Sequence, residues 1–414
     1  MNDMANIFDS TSRKNSVFID RRIFDPHHSP SIFNHRDSQI RTMVMNLADA
    51  LEGHIPGNMI LYGPSGTGKT GATRFVAQQL EERAQIIGSR VYTHEINCQH
   101  INTRYRVLHR IAEALRQPED PIIPFTGWPA DRVLSETLRR MDRHGGVHIL
   151  ILDEMDQLAT RSEDQLLYDL TSLNVLLKES RASIIGISND LGFTEKIPDP
   201  IRSRMSAEDI IFSPYSSNEL AQILVDRAKV GLRKGSWQEI TLRFCADLSA
   251  KEHGDARRAI DLLRVSTLRA EMSLSNCIEI EHIQSAHKQV EYERVIGLLQ
   301  GLPLHQKLTL TSIIINERNG ILTQSTGTIW ETYVQACNLA GMKPLTSRSI
   351  SSIINGFHSA SLAHVKNVSL GRRGRTKHVS SLIPRGIDAI GIMRENNDAV
   401  NLAANGTYKL QRRL

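Results

Sequence analysis

The segment GPSGTGKT, from Gly63 to Thr70, has residue types and a spacing suited to holding phosphate groups. It follows the apolar stretch NMILY and precedes the helical pattern GATRFVAQQLEE, which is the strand–loop–helix context that this motif requires. Its glycines permit a tight turn whose backbone amides face phosphate oxygens. Lys69 is predicted to reach the β- and γ-phosphates, and Thr70 to offer its hydroxyl to Mg²⁺. The motif therefore predicts a nucleoside triphosphate site.

A pair of acids, Asp153 and Glu154, ends the apolar run HILILDE. Carboxylates at the carboxyl end of a parallel strand face the crevice in which ligands bind. Asp153 is expected to orient Mg²⁺, and Glu154 to polarise an attacking water. Two solvated acids would explain this stretch equally well if it stood alone, but together with the upstream loop it indicates a hydrolytic site.

Three further stretches carry candidate site residues with alternatives. Asn189 ends the apolar run IIGISND and is either a second phosphate- or water-holding side chain or a turn former. Arg202 and Arg204, in IPDPIRSRM, are either arginine fingers toward a neighbouring subunit's nucleotide or surface arginines. Arg257 lies in the first turn of a helix that starts near Asp255, where a cation opposes the helix dipole and a bound phosphate would compensate.

The elements that must position these residues follow from the apolar pattern. Four short apolar runs alternate with helical stretches between about residues 32 and 212: NMILYG, VYTHEINC, VHILILDE and ASIIGISN. Such runs predict a parallel sheet covered on both faces. Residues 216–295 contain only helical patterns, and LQGLPLHQ at 299–306 separates them from a third region.

The third region ends in a helix followed by a basic hairpin. The helix LTSRSISSIINGF is predicted to bury Ile350, Ile353, Ile354 and Phe357, which recur at helical spacing. Arg348 and Ser351 lie on its opposite face, which is small and rich in donors and suits a DNA major groove. The segment SLGRRGRTKHVSSL then predicts a glycine-tipped hairpin whose cations are Arg372, Arg373, Arg375 and Lys377. With two preceding helices these elements predict a winged helix on DNA, although an ordinary solvated hairpin would share the pattern.

Composition narrows the class of protein. With 414 residues the chain is expected to form two or three domains, and its net charge of +5 fits a polyanionic partner without demanding one. The four cysteines form no C-x-x-C pair, which argues against a disulfide framework or zinc site. No run of eighteen apolar residues is present, so we expect no membrane association and a cytoplasmic protein.

The order of the motifs resembles that of AAA+ ATPases of the initiator clade. More closely, the chain resembles the archaeal replication initiators of the origin-recognition and cell-division-control type. The stretches NHRDSQI, NDLGF, FSPYSSNEL and EHGDARRAIDLLR carry this closer resemblance, which covers roughly residues 20–385.

The resemblance implies a set of site residues for ATP or ADP and Mg²⁺. The phosphate loop would hold the nucleotide through Ser65, Gly66, Thr67, Gly68, Lys69, Thr70 and Gly71. Outside this loop, the resemblance implies that Asn189 and Arg257 are sensors of the nucleotide and that Tyr215 and Arg227 contact it from the lid. It places His35 and Arg36 near the adenine. For the arginine finger, Arg204 is preferred over Arg202.

The resemblance also implies a fold and a function. The fold is an α/β AAA+ domain over 31–213, an all-helical lid over 214–298 and a winged helix over 299–390, between a flexible N-terminus (1–30) and a C-terminal tail (391–414). The function is that of a weak, switch-like ATPase that binds origin duplex DNA. It would associate with the nucleoid, exist as a monomer in solution that assembles on DNA, and help to load a replicative helicase.

A second DNA contact is expected in an insertion after the second strand. Arg104, Arg106, Arg110 and Trp128 occupy that neighbourhood, although core helices would look the same. The alternatives are a clamp-loader or helicase-loader ATPase that acts on protein, and a plasmid or viral DNA-binding regulator.

Overall fold

The computed structural model describes residues 16–25, 28, 33–159, 164–252, 254–369, 375–384, 386–395 and 397–408. The chain folds as two compact units, residues 1–283 and 284–414, and each is described by itself. Among the described helices, none is both long enough and apolar enough to cross a bilayer.

A parallel sheet forms the centre of the first unit. Its strands are β1 (Met59–Tyr62), β2 (Val91–Asn97), β3 (Gly146–Asp153), β4 (Ser180–Ser188) and β5 (Glu208–Ile211). The order across the sheet is β2-β3-β4-β1-β5. Because β1 lies between β4 and β5, and β3 lies beside β4, the residues that follow these strands meet at one edge of the sheet. The predicted parallel sheet is confirmed, but β5 was not among the predicted strands.

Helices cover both faces of this sheet. They are α1 (Asp37–Leu47), α2 (Lys69–Ile87), α3 (Arg104–Ala114), α4 (Ala130–His144), α5 (Asp156–Ala159), α6 (Asp164–Thr171), α7 (Leu173–Leu176), α8 (Phe193–Lys196) and α9 (Asp199–Met205), with a 3-10 turn at Ala48–Glu52. Ile149 and Ile151 of β3 pack in an apolar cluster with α1 and α2, whereas Leu150 and Leu152 pack in a second cluster with α3. Alternate side chains of one strand thus face two cores, as expected of a covered strand.

The remainder of the first unit is a helical lid. Its helices are α10 (Ser217–Gly231), α11 (Glu239–Glu252), α12 (Ala256–Met272) and the start of α13 (Ile280–Gly301). A capping box between Ser216 and Glu219 fixes the start of α10. The Asp255 carboxylate caps α12 by accepting the backbone N–H groups of Arg257 and Arg258. This cap supplies negative charge at a helix start that carries two arginines.

The N-terminal residues 16–25 are packed on the lid, whereas the sequence predicts a flexible segment over 1–30. Phe18 forms an antiparallel bridge with Leu232, and a short 3-10 turn spans Arg21–Phe24. Phe24 is fully buried. The stretch is mostly polar, and this composition predicts flexibility. Its two phenylalanines nevertheless hold it against the lid, so the structure differs from the prediction.

The second unit contains helices and a three-stranded antiparallel sheet. Its elements are α14 (Leu304–Arg318), β6 (Gln324–Ser325), α15 (Thr326–Leu339), α16 (Ser347–Ser359), β7 (Ala363–Ser369), β8 (Arg375–Ser381), α17 (Ala389–Arg394) and α18 (Asp398–Ala404). Strands β7 and β8 form the predicted hairpin, and β6 pairs with β8. Ile350, Ile354 and Phe357 of α16 are buried as predicted, but Ile353 is only half-buried at the edge of the core.

The segment predicted as a C-terminal tail, 391–414, contains part of this core. Helix α18 contacts α14 and α15, and its side chains Val400 and Ala403 are fully buried. These two residues are three apart in a short, weakly apolar stretch, so one helical turn is enough to place both on the core. So short a pattern gives little signal in the sequence.

Candidate nucleotide site

The loop between β1 and α2 contains two glycines in a backbone conformation that other residues rarely adopt. Gly66 has φ +74° and Gly68 has φ +92°, both in the left-handed region. A Cβ at Gly66 would collide with the carboxylate of Asp255, and a Cβ at Gly68 would lie 2.8 Å from the Tyr215 hydroxyl oxygen. The Ala256 N–H also donates to the Gly66 carbonyl over 3.1 Å. Two predicted site regions, the loop and the start of α12, are therefore in direct contact.

Lys69 is the first residue of α2, directly after this loop, and is buried. Its Nζ donates to the carbonyls of Gly63 (2.6 Å) and Pro64 (2.8 Å) and to Oδ1 of Asn189 (2.9 Å). The structure thereby brings Asn189, at the end of β4, next to the loop lysine. Burial lowers the pKa of the Lys69 amine to about 8, with the nearby Arg257 contributing in the same direction. An anionic phosphate in the loop would favour the charged amine.

Nucleotide affinity should therefore fall as the pH rises through about 8. Below this pKa the Lys69 amine is charged and attracts phosphate, and above it the attraction is lost. We expect the affinity for ADP to decrease about tenfold between pH 7 and pH 9. A fluorescent ADP analogue titrated in EDTA, which removes any contribution from magnesium, measures the change. The control variant Lys69→Arg stays charged over this range and should show a flat profile; a parallel decline in both proteins would contradict the assignment.

Thr70 and Asp153 meet beside the loop as a pair of oxygen donors. The Thr70 hydroxyl donates to Oδ2 of Asp153 over 3.1 Å, and Asp153 is largely buried at the end of β3. Burial raises the pKa of the Asp153 carboxyl, and the hydrogen bond from Thr70 opposes this shift. A hydroxyl and a carboxylate are the hard ligands that Mg²⁺ prefers, so this pair fits the ion. Within the described residues, no group of three His, Cys, Asp or Glu side chains is placed to hold a metal ion.

Glu154 occupies a strained backbone position at the same edge. Its φ is +56°, which is unusual for a residue other than glycine and typical of functional sites. Burial raises the pKa of its carboxyl, and the charges of Asp153 and Asp156 add to the shift. A higher pKa makes the ionised carboxylate a better proton acceptor. The environment thus suits the predicted role of Glu154 toward water.

A cavity of about 600 Å³ opens between the loop, the lid and the N-terminal residues of the first unit. Of the predicted residues, those that line it are Gly66, Gly68, Thr70, Gly71, Tyr215, Arg227 and Arg257. Ile23, Asp25, His28, Phe33 and Asn34 also line it and were not predicted. Of this second set, only Asn34 belongs to the NHRDSQI stretch that carries the resemblance, and the other four precede it in the chain.

His35 and Arg36 were predicted as neighbours of the adenine, and that role stays a prediction. Neither is among the described residues that line the cavity. Arg36 is buried, and its guanidinium donates to the carbonyls of Thr67 (3.0 Å) and Ser213 (2.6 Å) and lies 3.8 Å from the centre of the Tyr215 ring. Arg36 therefore links the phosphate loop, at Thr67, to the segment that contains Ser213, because its long side chain reaches both backbone segments.

The two lid arginines both reach the cavity, in different ways. Arg227 is half-buried, and it donates to the carbonyls of Ile23 (2.8 Å) and His28 (3.2 Å). Burial lowers the pKa of its guanidinium. Arg257 is exposed, and its charge acts on both Lys69 and Glu154. Arg257 is therefore available to an anionic ligand, whereas Arg227 is engaged by the backbone.

The candidate finger arginines lie on α9, outside the cavity of their own chain. Arg204 donates to the Ser172 hydroxyl over 3.0 Å, and its guanidinium lies 4.4 Å from the centre of the Tyr168 ring. Arg202 pairs with Asp199 one turn earlier. Both arginines are exposed, as a residue that serves a neighbouring subunit must be. The finger role stays a prediction.

The basic residues predicted in the insertion separate into two kinds. Arg104 forms ion pairs with Asp131 and Asp169 and thus ties α3 to its neighbours. Arg106 and Arg110 instead line an open cavity of about 720 Å³. Trp128 is half-buried and lies under the guanidinium of Arg132, 3.8 Å from the ring centre. Arg104 therefore has a structural role within the first unit, and the DNA contact predicted for this neighbourhood, including Arg106, Arg110 and Trp128, stays a prediction.

In the second unit, one predicted DNA contact is engaged within the protein. The Nζ of Lys377 donates to the Ser351 hydroxyl (2.7 Å) and to Oδ1 of Asn355 (2.8 Å), so it ties β8 to α16. Arg348 is exposed at the start of α16. Arg372, Arg373 and the side chain of Arg375 lie outside the described residues.

Three family models match consecutive parts of the chain. They are the AAA domain over residues 54–188, the Cdc6 AAA+ ATPase-type lid domain over 221–288 and the CDC6 C-terminal winged helix domain over 297–386. The predicted fold class, a parallel-sheet AAA+ domain with a helical lid and a winged helix, is confirmed by these matches together with the structure.

Individual relatives match over nearly the whole chain. The ORC1-type DNA replication protein of Thermococcus kodakarensis is 36% identical over 376 residues, which is 91% of each chain. ORC1-type DNA replication protein 1 of Archaeoglobus fulgidus is 37% identical over 90% of each. Among solved structures, the Aeropyrum pernix ORC1 protein in complex with DNA has a TM-score of 0.79 and 36% identity over 93% of this chain and 98% of its own. The Cdc6p structure from Pyrobaculum aerophilum, with a TM-score of 0.59 and 23% identity over 94% of this chain and 99% of its own, shares the fold. The chain belongs to the family of ORC1-type DNA replication proteins.

Proposed function

We propose that this protein is an ATP-dependent replication initiator that binds origin duplex DNA through its winged helix. The carrying observation is that one chain combines a cavity shared by a phosphate loop and a lid with a winged helix whose sequence includes an arginine-rich hairpin. The relative from Aeropyrum pernix, which is similar over 93% of this chain, was solved with DNA bound, and this supports the proposal.

The nucleotide half of the proposal rests on contacts around the cavity. ATP phosphates would take the place of the carbonyls that now accept from Lys69, and Thr70 with Asp153 would hold Mg²⁺, which neutralises phosphate charge when it is bound. Arg257 would reach the terminal phosphate from the lid. Because the backbone just before Arg257 is hydrogen-bonded to Gly66, a change at the phosphates is expected to change how the lid closes.

Hydrolysis would act as a switch in this scheme. Glu154 would take a proton from the attacking water, Asn189 would hold the water or the terminal phosphate, and Arg204 would be supplied to the nucleotide of a neighbouring subunit on DNA. ATP loss would then loosen the lid. The lid directly precedes the second unit in the chain, so we expect the nucleotide state to alter DNA affinity and the loading of a replicative helicase.

A binding experiment tests the proposal directly. Footprinting on the chromosomal region beside the protein's own gene identifies a duplex site, and fluorescence anisotropy then measures affinity with ATP, with ADP and without nucleotide. ATP should tighten binding, and Lys69→Ala should abolish this effect of ATP while retaining nucleotide-independent binding. With roughly six phosphate contacts, affinity should fall about 10³-fold between 50 and 200 mM salt. Equal affinity in all three nucleotide states would refute the ATP dependence.

A further inference from the structure

The buried acid Glu271, near the end of α12, has no place in the site described so far. Its side chain is 1% exposed. Its Oε1 accepts from the Ser16 hydroxyl (2.6 Å) and the Val17 N–H (2.9 Å), and its Oε2 accepts from Nη2 of Arg21 (2.9 Å). A buried carboxylate is costly unless it is paired and hydrogen-bonded, and these three partners come from one N-terminal segment.

We name this segment, residues 16–25, the N-terminal strap. Backbone hydrogen bonds fasten it to the lid: the N–H groups of Ile19 and Asp20 donate to the Gly231 carbonyl, and the Arg233 N–H donates to the Val17 carbonyl. The ring of Phe24 packs so closely on Gly231 that a Cβ there would collide with it. All of these partners belong to the lid, so the strap is built to move with it.

The strap also reaches the nucleotide cavity. Ile23 and Asp25, at its end, line the cavity, and Arg227 of the lid donates to the Ile23 carbonyl over 2.8 Å. The cavity is lined by these strap residues together with Arg227 and Phe33. The phosphate loop contributes glycines to the lining of the same cavity. The cavity is therefore closed in part by a segment that the lid holds through Gly231, Arg233 and Glu271.

Helix α12 joins the two ends of this arrangement. Arg257, in its first turn, lines the cavity near the phosphate loop, and Glu271, in its last turn, holds the strap. At 1.5 Å per residue, about 21 Å of continuous helix separates the two. A shift of α12 at the phosphate end would therefore be carried to the strap anchor.

We infer that Glu271 is a positioning residue that locks the N-terminal strap to the lid, so that strap and lid close over bound nucleotide together and set the rate of its release. This inference rests on the proposed nucleotide site. Because coupling between the binding free energies of two sites is reciprocal, nucleotide should stabilise the anchored strap to the same degree that the anchored strap strengthens nucleotide binding.

The first test is the dissociation rate of a fluorescent ADP analogue from the full-length protein, followed by stopped flow. Glu271→Gln, which keeps the side chain's shape but removes its charge, should release the analogue about fivefold to tenfold faster. The matched control Glu281→Gln changes an exposed lid acid and should release it at the parental rate. Should Glu271→Gln fold poorly, Arg21→Ala removes one anchor bond from a side chain that is 55% exposed and should still speed release about twofold.

The second test distinguishes coupling from a purely structural role. Hydrogen exchange of the amides in residues 16–20 should slow when ADP is added to the parent protein, and this protection should be lost in Glu271→Gln. Unchanged release rates, or exchange that ignores nucleotide in the parent, would overturn the inference while leaving the nucleotide site intact. If the parent protein binds no nucleotide at all, the proposed function itself fails, and the two failures are thus told apart.

Discussion

Replacing Glu154 with glutamine is expected to lower the ATP hydrolysis rate about a hundredfold or more, because general-base catalysis typically contributes at least this factor. The amide has the same shape but cannot accept a proton from water. The left-handed backbone at this position, φ +56°, is kept because the two side chains differ only at their ends. ATP affinity should stay within about twofold, since the phosphates are held by the loop and not by this carboxylate.

Single-turnover hydrolysis and a binding titration with a fluorescent ATP analogue measure both quantities. Glu195→Gln is the matched control, because it makes the same chemical change at an exposed residue of α8. It should hydrolyse ATP at the parental rate. If Glu154→Gln also hydrolysed ATP at the parental rate, the nucleotide would have a structural role. That result would favour the alternative that this chain is a DNA-binding regulator that never hydrolyses ATP.

The arrangement of the phosphate loop and the strand ends in the first unit could be predicted because its signals are local. The loop from Gly63 to Thr70 requires specific residues within eight positions, and Asp153-Glu154 follows a strand too apolar to be anything but buried. The topology then brings the ends of these strands together by rule. The four predicted strands were correct because each is a local apolar run. Strand β5, with two acids in four residues, lacks the apolar run that indicates a strand.

What could not be predicted depends on contacts between residues far apart in the chain. The bond between Val17 and Glu271 joins positions 254 residues apart, and neither stretch alone indicates it. Arg36 shows a second limit, since an arginine near a nucleotide site can serve the ligand or the scaffold, and the sequence gives no sign of its hydrogen bonds to Thr67 and Ser213. Lys377 is a similar case, because the sequence shows a lysine in a basic hairpin but not its hydrogen bonds to Ser351 and Asn355; its role as a DNA contact stays a prediction.

The basic hairpin tip should contribute most of the electrostatic attraction to DNA. Changing Arg372, Arg373 and Arg375 together to alanine is expected to weaken duplex binding by about two orders of magnitude at moderate salt. If each contacts one phosphate, the slope of log affinity against log salt should become shallower by about 2.7, which is three times the 0.9 released counterions per contact. Anisotropy titrations at several salt concentrations measure the affinity and the slope in one experiment.

A charge-matched control separates a local contact from the general field of the protein. Changing Arg41, Arg83 and Arg243 to alanine, all exposed residues of the first unit, lowers the net charge from +5 to +2, as the hairpin variant does. This control should alter DNA affinity only slightly, because exposed charges more than about 10 Å from a phosphate are screened. Equal losses in the two variants would mean that only net charge matters, and no loss in the hairpin variant would favour a loader ATPase that acts on protein. A large loss confined to the hairpin variant would place the DNA contact on the wing, because both proteins carry the same charge and differ only in where it was removed.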